Sequence, residues 1–316
     1  MAAIRTEALT KHYGDVTALD GLDLTVESGE VFGFLGPNGA GKSTTINVLL
    51  GFLEPTAGRV EVLGTDVLSD SRAVRRRMGV LPEDFEPYER LTAREHISYA
   101  ADLKGADPDP AHLLDRTGLD PDAWDRRAGN YSTGMCQRLA LACALVGDPD
   151  LLVLDEPSSG LDPQGMAEMR DLILTEAESG TTVFFSSHIL SEVEAVADRV
   201  GILADGHLVA TGTLDELRAG AAARAPLRLD VADVPDGLVA DVADAEGVAD
   251  AWAEDGSIHA ELSDPARKVA VIEAVNRETT VEDVISEAAS LEAMFTMYTD
   301  GETDAERAAV AAGDAR

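Results

Sequence analysis

The sequence predicts an α/β fold organised on a parallel sheet, followed by a smaller α+β domain, and three observations carry that expectation. An apolar run, Val31–Leu35, leads into the glycine-rich stretch Gly36-Pro37-Asn38-Gly39-Ala40-Gly41-Lys42-Ser43-Thr44 and then into a helix-forming segment. Between residues 151 and 203 short apolar runs alternate with stretches of helix length, the pattern of strands joined by crossover helices. At residues 218–226, Arg-Ala-Gly-Ala-Ala-Ala-Arg-Ala-Pro, the composition shifts and marks a linker.

The elements follow in order. Residues 4–30 alternate apolar and polar side chains in short runs, as in an antiparallel sheet with turns at Gly14-Asp15 and Ser28-Gly29. Tyr13 sits in the first of these turns, where an aromatic ring can cover a sheet edge. Residues 43–52 read as a helix closed by Gly51 and, further on, Pro55. Val60 and Val62 belong to a strand, and residues 70–78 to a helix whose Arg72, Arg75, Arg76 and Arg77 form a solvated face. A short strand over 79–81 runs into Pro82-Glu83-Asp84-Phe85, and Thr92-Ala93-Arg94-Glu95 is a capping box that opens the next helix. The stretch to Gly129 is helix-rich, broken at residues 105–108 and at Asp120-Pro121, and reads as a helical insertion in the α/β core.

A strand over 151–154 ends in Asp155-Glu156-Pro157; a helix over 163–178, a strand over 182–185, a helix over 189–197 and a strand over 199–203 follow. In parallel sheets ligands bind beyond the carboxyl ends of strands. The glycine-rich loop, Asp155-Glu156 and His188 all fall at such ends. The expected organisation is therefore a first domain over 1–215 with its helical subdomain at about 84–145, a linker over 216–225, a small α+β domain over 226–300 and an acidic tail over 301–316. The small domain has strand-like runs at 227–231, 249–253 and 258–262, a helix from about Pro265 to Asn276 and a final amphipathic stretch ending at Tyr298; it shows no chemistry.

Composition narrows the functions. There are 59 acidic residues against 25 basic ones, a formal charge of −34, with lysine only at Lys11, Lys42, Lys104 and Lys268. So acidic a surface argues against a direct grip on nucleic acid or on an anionic membrane face. The charge is spread through periodic segments rather than gathered in a disordered tail, which is the expectation for a cytoplasm of very high salt, where a Debye length of roughly 3 Å at 1 M screens self-repulsion. Cys136 and Cys143, the only cysteines, would stand roughly 10 Å apart along a shared helix, too far for a disulfide. The first residues carry charges throughout with no apolar leader core, and no apolar run of about 18 residues occurs, so the expected location is cytoplasmic.

The glycine-rich stretch satisfies the phosphate-loop pattern through Gly36, Gly41, Lys42 and Ser43. Its backbone N–H groups converge on phosphate oxygens, Lys42 supplies a point charge to the β- and γ-phosphates, Ser43 can ligate Mg²⁺, and the following helix adds its positive end. By composition, an accidental match in this chain is on the order of three in a thousand. Asp155, after an apolar strand, is the second nucleotide motif, a carboxylate for Mg²⁺, and Glu156 beside it can polarise an attacking water.

Between these two motifs lies Asn130-Tyr131-Ser132-Thr133-Gly134-Met135, followed by Gln137-Arg138. This resembles the signature motif of ABC-type ATPases, and the order of phosphate loop, signature, Leu151–Pro157, Ser158-Ser159-Gly160-Leu161-Asp162 and a strand-terminal His188 is specific to that family. The resemblance covers residues 1–212 and implies a P-loop NTPase core with an antiparallel β edge and a helical subdomain. ATP and Mg²⁺ would be its cofactors. By this resemblance Tyr13 stacks on adenine, the residues from Gly36 to Thr44 hold the phosphates, and Ser43, Asp155 and Glu83 meet the metal; Glu83 stands where the family usually has glutamine. Ser132 and Gly134 would reach ATP bound to an opposite subunit, here within Tyr-Ser-Thr-Gly-Met instead of the usual Leu-Ser-Gly-Gly-Gln. Asp162 would lie at the dimer seam, Glu156 would be the general base, and His188 and Lys42 would complete the catalytic set.

The resemblance further implies a motor subunit of an ABC-2 type transporter, an exporter, working with a separate transmembrane permease and a second ATP-binding subunit, homo- or heterodimeric, on the inner face of the membrane. The alternative is a soluble ABC ATPase in cluster assembly or another non-transport role. The charge makes its own prediction: the thermal unfolding midpoint rises from dilute buffer to molar KCl, and equal midpoints in the two would overturn the high-salt reading.

Overall fold

The computed structural model describes residues 1–224, 227–235, 237–254, 256–262 and 267–286. The chain divides into two compact units, Met1–Gly212 and Thr213–Arg316.

The first unit runs β1 (Ala2–Tyr13), β2 (Val16–Glu27), β3 (Val31–Leu35), α1 (Lys42–Leu49), β4 (Ala57–Val62), β5 (Thr65–Asp66), α2 (Ser71–Arg76), β6 (Met78–Leu81), α3 (Ala93–Lys104) and α4 (Pro110–Arg116). It continues through two 3₁₀ turns to α5 (Thr133–Ala144), β7 (Leu151–Asp155), α6 (Pro163–Glu178), β8 (Thr182–Ser187), α7 (Leu190–Glu194), β9 (Arg199–Ala204) and β10 (His207–Gly212). Strands β2-β1-β4-β5 form an antiparallel sheet. A second sheet has the order β10-β9-β3-β8-β7-β6, parallel throughout except at the β10 edge. This is the P-loop NTPase core with its antiparallel β layer and helical subdomain that the motifs imply.

Burial explains the two sequence patterns. Every residue of β3, β7 and β8 is buried, because a parallel sheet is covered on both faces and its strands read as continuous apolar runs. Strands β1 and β2 bury one face only and alternate. At the centre Phe32 of β3 stacks on its register partner Phe184 of β8 at 5.9 Å between ring centroids, with Phe34 packed on the same ring at 5.3 Å. Glycine lets helices press onto this sheet: a Cβ on Gly33 would stand 2.4 Å from Val193 Cγ1 of α7, and one on Gly79 of β6 would stand 2.4 Å from the Ala144 carbonyl oxygen of α5.

Several local expectations change. Arg75 and Arg77 are not simply solvated: Arg75 donates to the Leu50 carbonyl at 3.0 Å and lies over the Phe52 ring, satisfying the end of α1, while Arg77 pairs with Asp150 at 2.7 Å. Strands β5 and β10 carry too few buried residues to be read from pattern, and α7 is shorter than the predicted 189–197. Cys136 and Cys143 share α5 as free thiols, and burial pushes the Cys143 thiol up to about 12.

In the second unit α8 (Leu214–Arg224) occupies the segment expected as a linker over 216–225. The physical reason is a capping box: Thr213 N–H donates to Glu216 Oε2 at 2.8 Å and Glu216 N–H to Thr213 Oγ1 at 3.2 Å, ahead of an alanine run with the strongest intrinsic helix propensity. Next come β11 (Leu227–Val231), α9 (Leu238–Ala243), β12 (Val248–Glu254), β13 (Ser257–Leu262), α10 (Lys268–Glu278) and β14 (Val281–Ser286), in the antiparallel order β12-β13-β11-β14. This is the βαββαβ arrangement, with Leu238, Val242, Val271 and Val275 packed on Leu227, Leu229 and Ile258. The amphipathic stretch ending at Tyr298 and the tail over 301–316 lie outside the described residues.

Gly79→Ala tests the close approach of α5 to the sheet. The added methyl meets backbone rather than a movable side chain, so a loss of about 1–3 kcal/mol is expected in denaturant unfolding; an unchanged midpoint would show that α5 can move away freely.

Candidate functional site

Backbone conformation selects the residues of the loop between β3 and α1. Gly39 and Gly41 have φ of 89° and 109°, where a Cβ is strained, and a Cβ on Gly36 would stand 2.6 Å from the Leu203 carbonyl oxygen. The loop can therefore fold tightly against β9. Lys42, 6% exposed, curls back into the loop. Its Nζ donates to the Gly36 carbonyl at 2.7 Å and the Pro37 carbonyl at 3.3 Å, and pairs with Glu156 Oε1 at 3.4 Å.

At the end of β7, Asp155 and Glu156 are both almost fully buried. Glu156 has φ 48°, a left-handed conformation that L-residues rarely adopt. Ser186, on neighbouring β8, braces the pair with one hydroxyl: it accepts from Glu156 N–H at 2.9 Å and donates to Asp155 Oδ1 at 2.6 Å. His188 Nδ1 lies 2.9 Å from Glu156 Oε2. One carboxylate thus joins Lys42 on one oxygen and His188 on the other.

A cavity of about 330 Å³ opens beside them, lined by Pro37, Asn38, Gly39, Gly41, Lys42, Ser43, Thr44, Glu83 and Glu156, with Ala18 from β2. Its electrostatics are lopsided. Burial, and then Glu156, push the Asp155 carboxyl up against the hydrogen bond from Ser186, the charge of Lys42 and the hydrogen bond from Ser43. Glu83 is likewise raised by burial and by Asp155 and Glu156. Three carboxylates face one ammonium, and a cation would relieve them. Among the described residues no group of three or more His, Cys, Asp or Glu forms a metal cage. Mg²⁺, however, takes one or two carboxylates together with waters and substrate phosphates, and Ser43, Asp155 and Glu83 suit it in that manner.

The predicted residues form two groups. Gly36 to Thr44, Glu83, Asp155, Glu156 and His188 converge at the carboxyl edge of the parallel sheet. Ser132, Gly134 and Asp162 instead line a groove of about 530 Å³, with Arg138 and Glu168. Ser132 caps α5 by accepting from Met135 N–H at 3.4 Å, and Asp162 caps α6 by accepting from Gly165 N–H at 2.8 Å. Arg138 pairs with Glu168 and donates to the Gly118 carbonyl at 2.9 Å, which locks α5 to α6. Tyr13 stands on the β1–β2 hairpin with its ring 50% exposed and Lys11 Nζ over it at 5.3 Å. Sequence reasoning passed over Ser186 as a ligand of the Asp155-Glu156 pair. The available signal was a pair of hydroxyls at the end of an apolar strand.

Fold and site together define a phosphate-loop nucleoside triphosphatase. Residues 19–159 match the ABC transporter family. The chain is 46% identical over 211 residues to an uncharacterized ABC transporter ATP-binding protein of Nostoc sp., covering 64% of this chain and 62% of that one. It is 43% identical over 218 residues to the bacitracin transport ATP-binding protein of Bacillus licheniformis, covering 68% and 71%. With the daunorubicin/doxorubicin resistance ATP-binding protein of Streptomyces peucetius it shares 42% over 221 residues, covering 68% and 67%. Among solved structures, an ATP-binding subunit of an ABC transporter matches with a TM-score of 0.63 at 31% identity over 69% of this chain and 92% of that chain. A dimeric ATP-binding cassette in a post-hydrolysis state with ADP and phosphate matches with a TM-score of 0.61 at 25% identity over 67% and 98%. The chain belongs to the ATP-binding proteins of ABC transporters, and it is an ATPase.

The crowding of carboxylates has a measurable consequence. Since burial raises Asp155, its ionised form is disfavoured in the fold, and its contribution to stability is lost as pH rises through its carboxyl range. Asp155→Asn, which keeps an acceptor for Ser186, is expected to raise the unfolding midpoint of nucleotide-free protein at pH 7 by a few degrees. A lower midpoint would mean that Lys42 and the serines outweigh the burial.

Proposed function

We propose that this chain is the motor subunit of an ABC-2 type exporter, in which ATP-driven closure of two ATP-binding subunits moves a separate transmembrane permease. The observation that carries this reading is the division of the site. The phosphate loop and Asp155-Glu156 stand at one edge of the sheet, while Ser132, Gly134 and Asp162 line a different groove. A complete site then takes the loop of one subunit and the signature of another, as a homodimer or a heterodimer. Relatives named for bacitracin transport and for daunorubicin/doxorubicin resistance support the transporter class. Among the described residues no helix is long and apolar enough to cross a membrane, which fits a permease on another chain and a peripheral position at the inner face. The acidic surface fits a high-salt cytoplasm and no nucleic-acid partner.

In this reading the residues act as follows. Tyr13 stacks on adenine, and the N–H groups from Gly36 to Thr44 take the phosphates. Lys42 leaves the Gly36 and Pro37 carbonyls and Glu156 for the β- and γ-phosphates, exchanging two neutral acceptors and one anion for a denser charge. Glu156, released from Lys42 and still held by His188, accepts the proton of the attacking water. Ser43 and Asp155, with Glu83 beside them, would hold Mg²⁺, which would supply charge neutralisation at the phosphates. Ser132 and Gly134 of the opposite subunit close over the γ-phosphate, and Asp162 lies at the seam.

Glu156→Gln tests the assignment. Turnover should fall by about 10²–10⁴-fold while ATP stays bound and the dimer stays closed, and in molar salt with ATP and Mg²⁺ the variant should co-purify a multi-span protein from native membranes. Unchanged turnover would remove Glu156 as the base, and purely soluble partners would turn the reading toward a non-transport ATPase.

A further inference from the structure

His188 reaches Glu156 from a turn, and something must hold that turn. Successive residues of a strand point to opposite faces, so at the end of β8 Ser186 turns toward Asp155 while Ser187 turns toward α7. Ser187 is fully buried, and a buried hydroxyl needs partners. Its Oγ donates to Glu192 Oε2 at 2.8 Å and accepts from Ile189 N–H at 3.0 Å. The residues before and after His188 are thereby tied to one hydroxyl, in the manner of a serine turn, and Glu192 sets that hydroxyl's direction. The Ser187 carbonyl also accepts from Gly36 N–H at 3.3 Å, which links the same residue to the phosphate loop.

Helix α7 adds one backbone bond to this turn, Glu192 N–H to the Ile189 carbonyl at 3.2 Å, which no side-chain substitution removes. It has five residues, and Ile189, its N-cap, makes no side-chain cap bond; isoleucine is among the poorest caps. Val193, fully buried in the space left by Gly33, holds the helix to the sheet but not the turn to the helix. Glu192 is half-buried and its carboxyl is raised by burial, opposed by the hydrogen bond from Ser187, with smaller contributions from Glu156, His188 and Arg170.

We infer that Glu192 is a positioning residue for ATP hydrolysis: through Ser187 Oγ it fixes the turn that presents His188 to Glu156. The inference rests on the proposed roles of Glu156 and His188. It separates an acceptor requirement from a charge requirement, because Glu192→Gln keeps an oxygen for the Ser187 hydroxyl whereas Glu192→Ala does not.

The test is steady-state ATP turnover of the full chain in molar salt, below each variant's unfolding midpoint. Glu192→Ala and Ser187→Ala should each lower kcat about tenfold with the KM for ATP little changed, since a small misplacement of a catalytic group is felt in the chemical step. Glu192→Gln should restore most of the lost rate. The Glu192→Ala/Ser187→Ala double variant should be no slower than either single one, and Glu192→Ala should have no further effect in a His188→Ala background. Unaltered kcat in Glu192→Ala, a loss expressed mainly in KM, no rescue by Glu192→Gln, or a tenfold loss that persists without His188 would each overturn the inference. Wild-type turnover in His188→Ala alone would instead remove the reading on which it rests.

Discussion

One buried carboxylate organises the site. Glu156 holds Lys42 on one oxygen and His188 on the other, and it does so from a backbone conformation that a glutamate rarely adopts. The neighbouring elements supply what this requires. Ser186 takes the Glu156 N–H, the phosphate loop brings Lys42 within reach, and β8 ends where His188 can turn back toward β7. A buried charge without such partners costs several kcal/mol, so this carboxylate, its cation and its hydrogen-bond donors must assemble together.

The sheet makes that assembly geometrically simple. Strands β3, β7 and β8 are parallel neighbours in register, Leu35 beside Ser187 and Asp155 beside Ser186. The loops that follow Leu35, Asp155 and Ser187 therefore leave the sheet side by side. Glycines complete the arrangement where a side chain would meet backbone, at Gly36 against β9 and at Gly79 against α5. The same packing leaves Ser132, Gly134 and Asp162 in a groove of their own. In the proposed function that separation is what two ATP-binding subunits bridge.

The excess of negative charge acts at two scales. Across the surface it is a source of self-repulsion. At the site burial, Asp155 and Glu156 raise the Glu83 carboxyl, and burial and Glu156 raise that of Asp155, so that a cation there would relieve the crowding. Function is placed where the fold is locally least comfortable, while the phenylalanine core beneath it is close-packed.

The sequence by itself determined the strands of the parallel sheet and the helices that join them between residues 151 and 203, the phosphate loop and the identities of Lys42, Asp155, Glu156 and His188, because apolar runs, glycine spacing and strand-end carboxylates are local signals. It also carried the signature at Ser132 and Gly134. Only the tertiary structure decided which of these meet: that Glu156 bridges Lys42 and His188, that Ser186 serves Asp155 and Glu156, and that Ser132, Gly134 and Asp162 stand apart from the loop. Those facts depend on strand order and register, which bring distant residues together and leave no periodic trace. Local signals also misled where two readings of the same residues compete. The composition of the alanine run after Thr213 predicts a linker, whereas the Thr213–Glu216 capping box with alanine's helix propensity makes it a helix; the pattern predicts a solvated Arg75, whereas the open carbonyl at the end of α1 claims it.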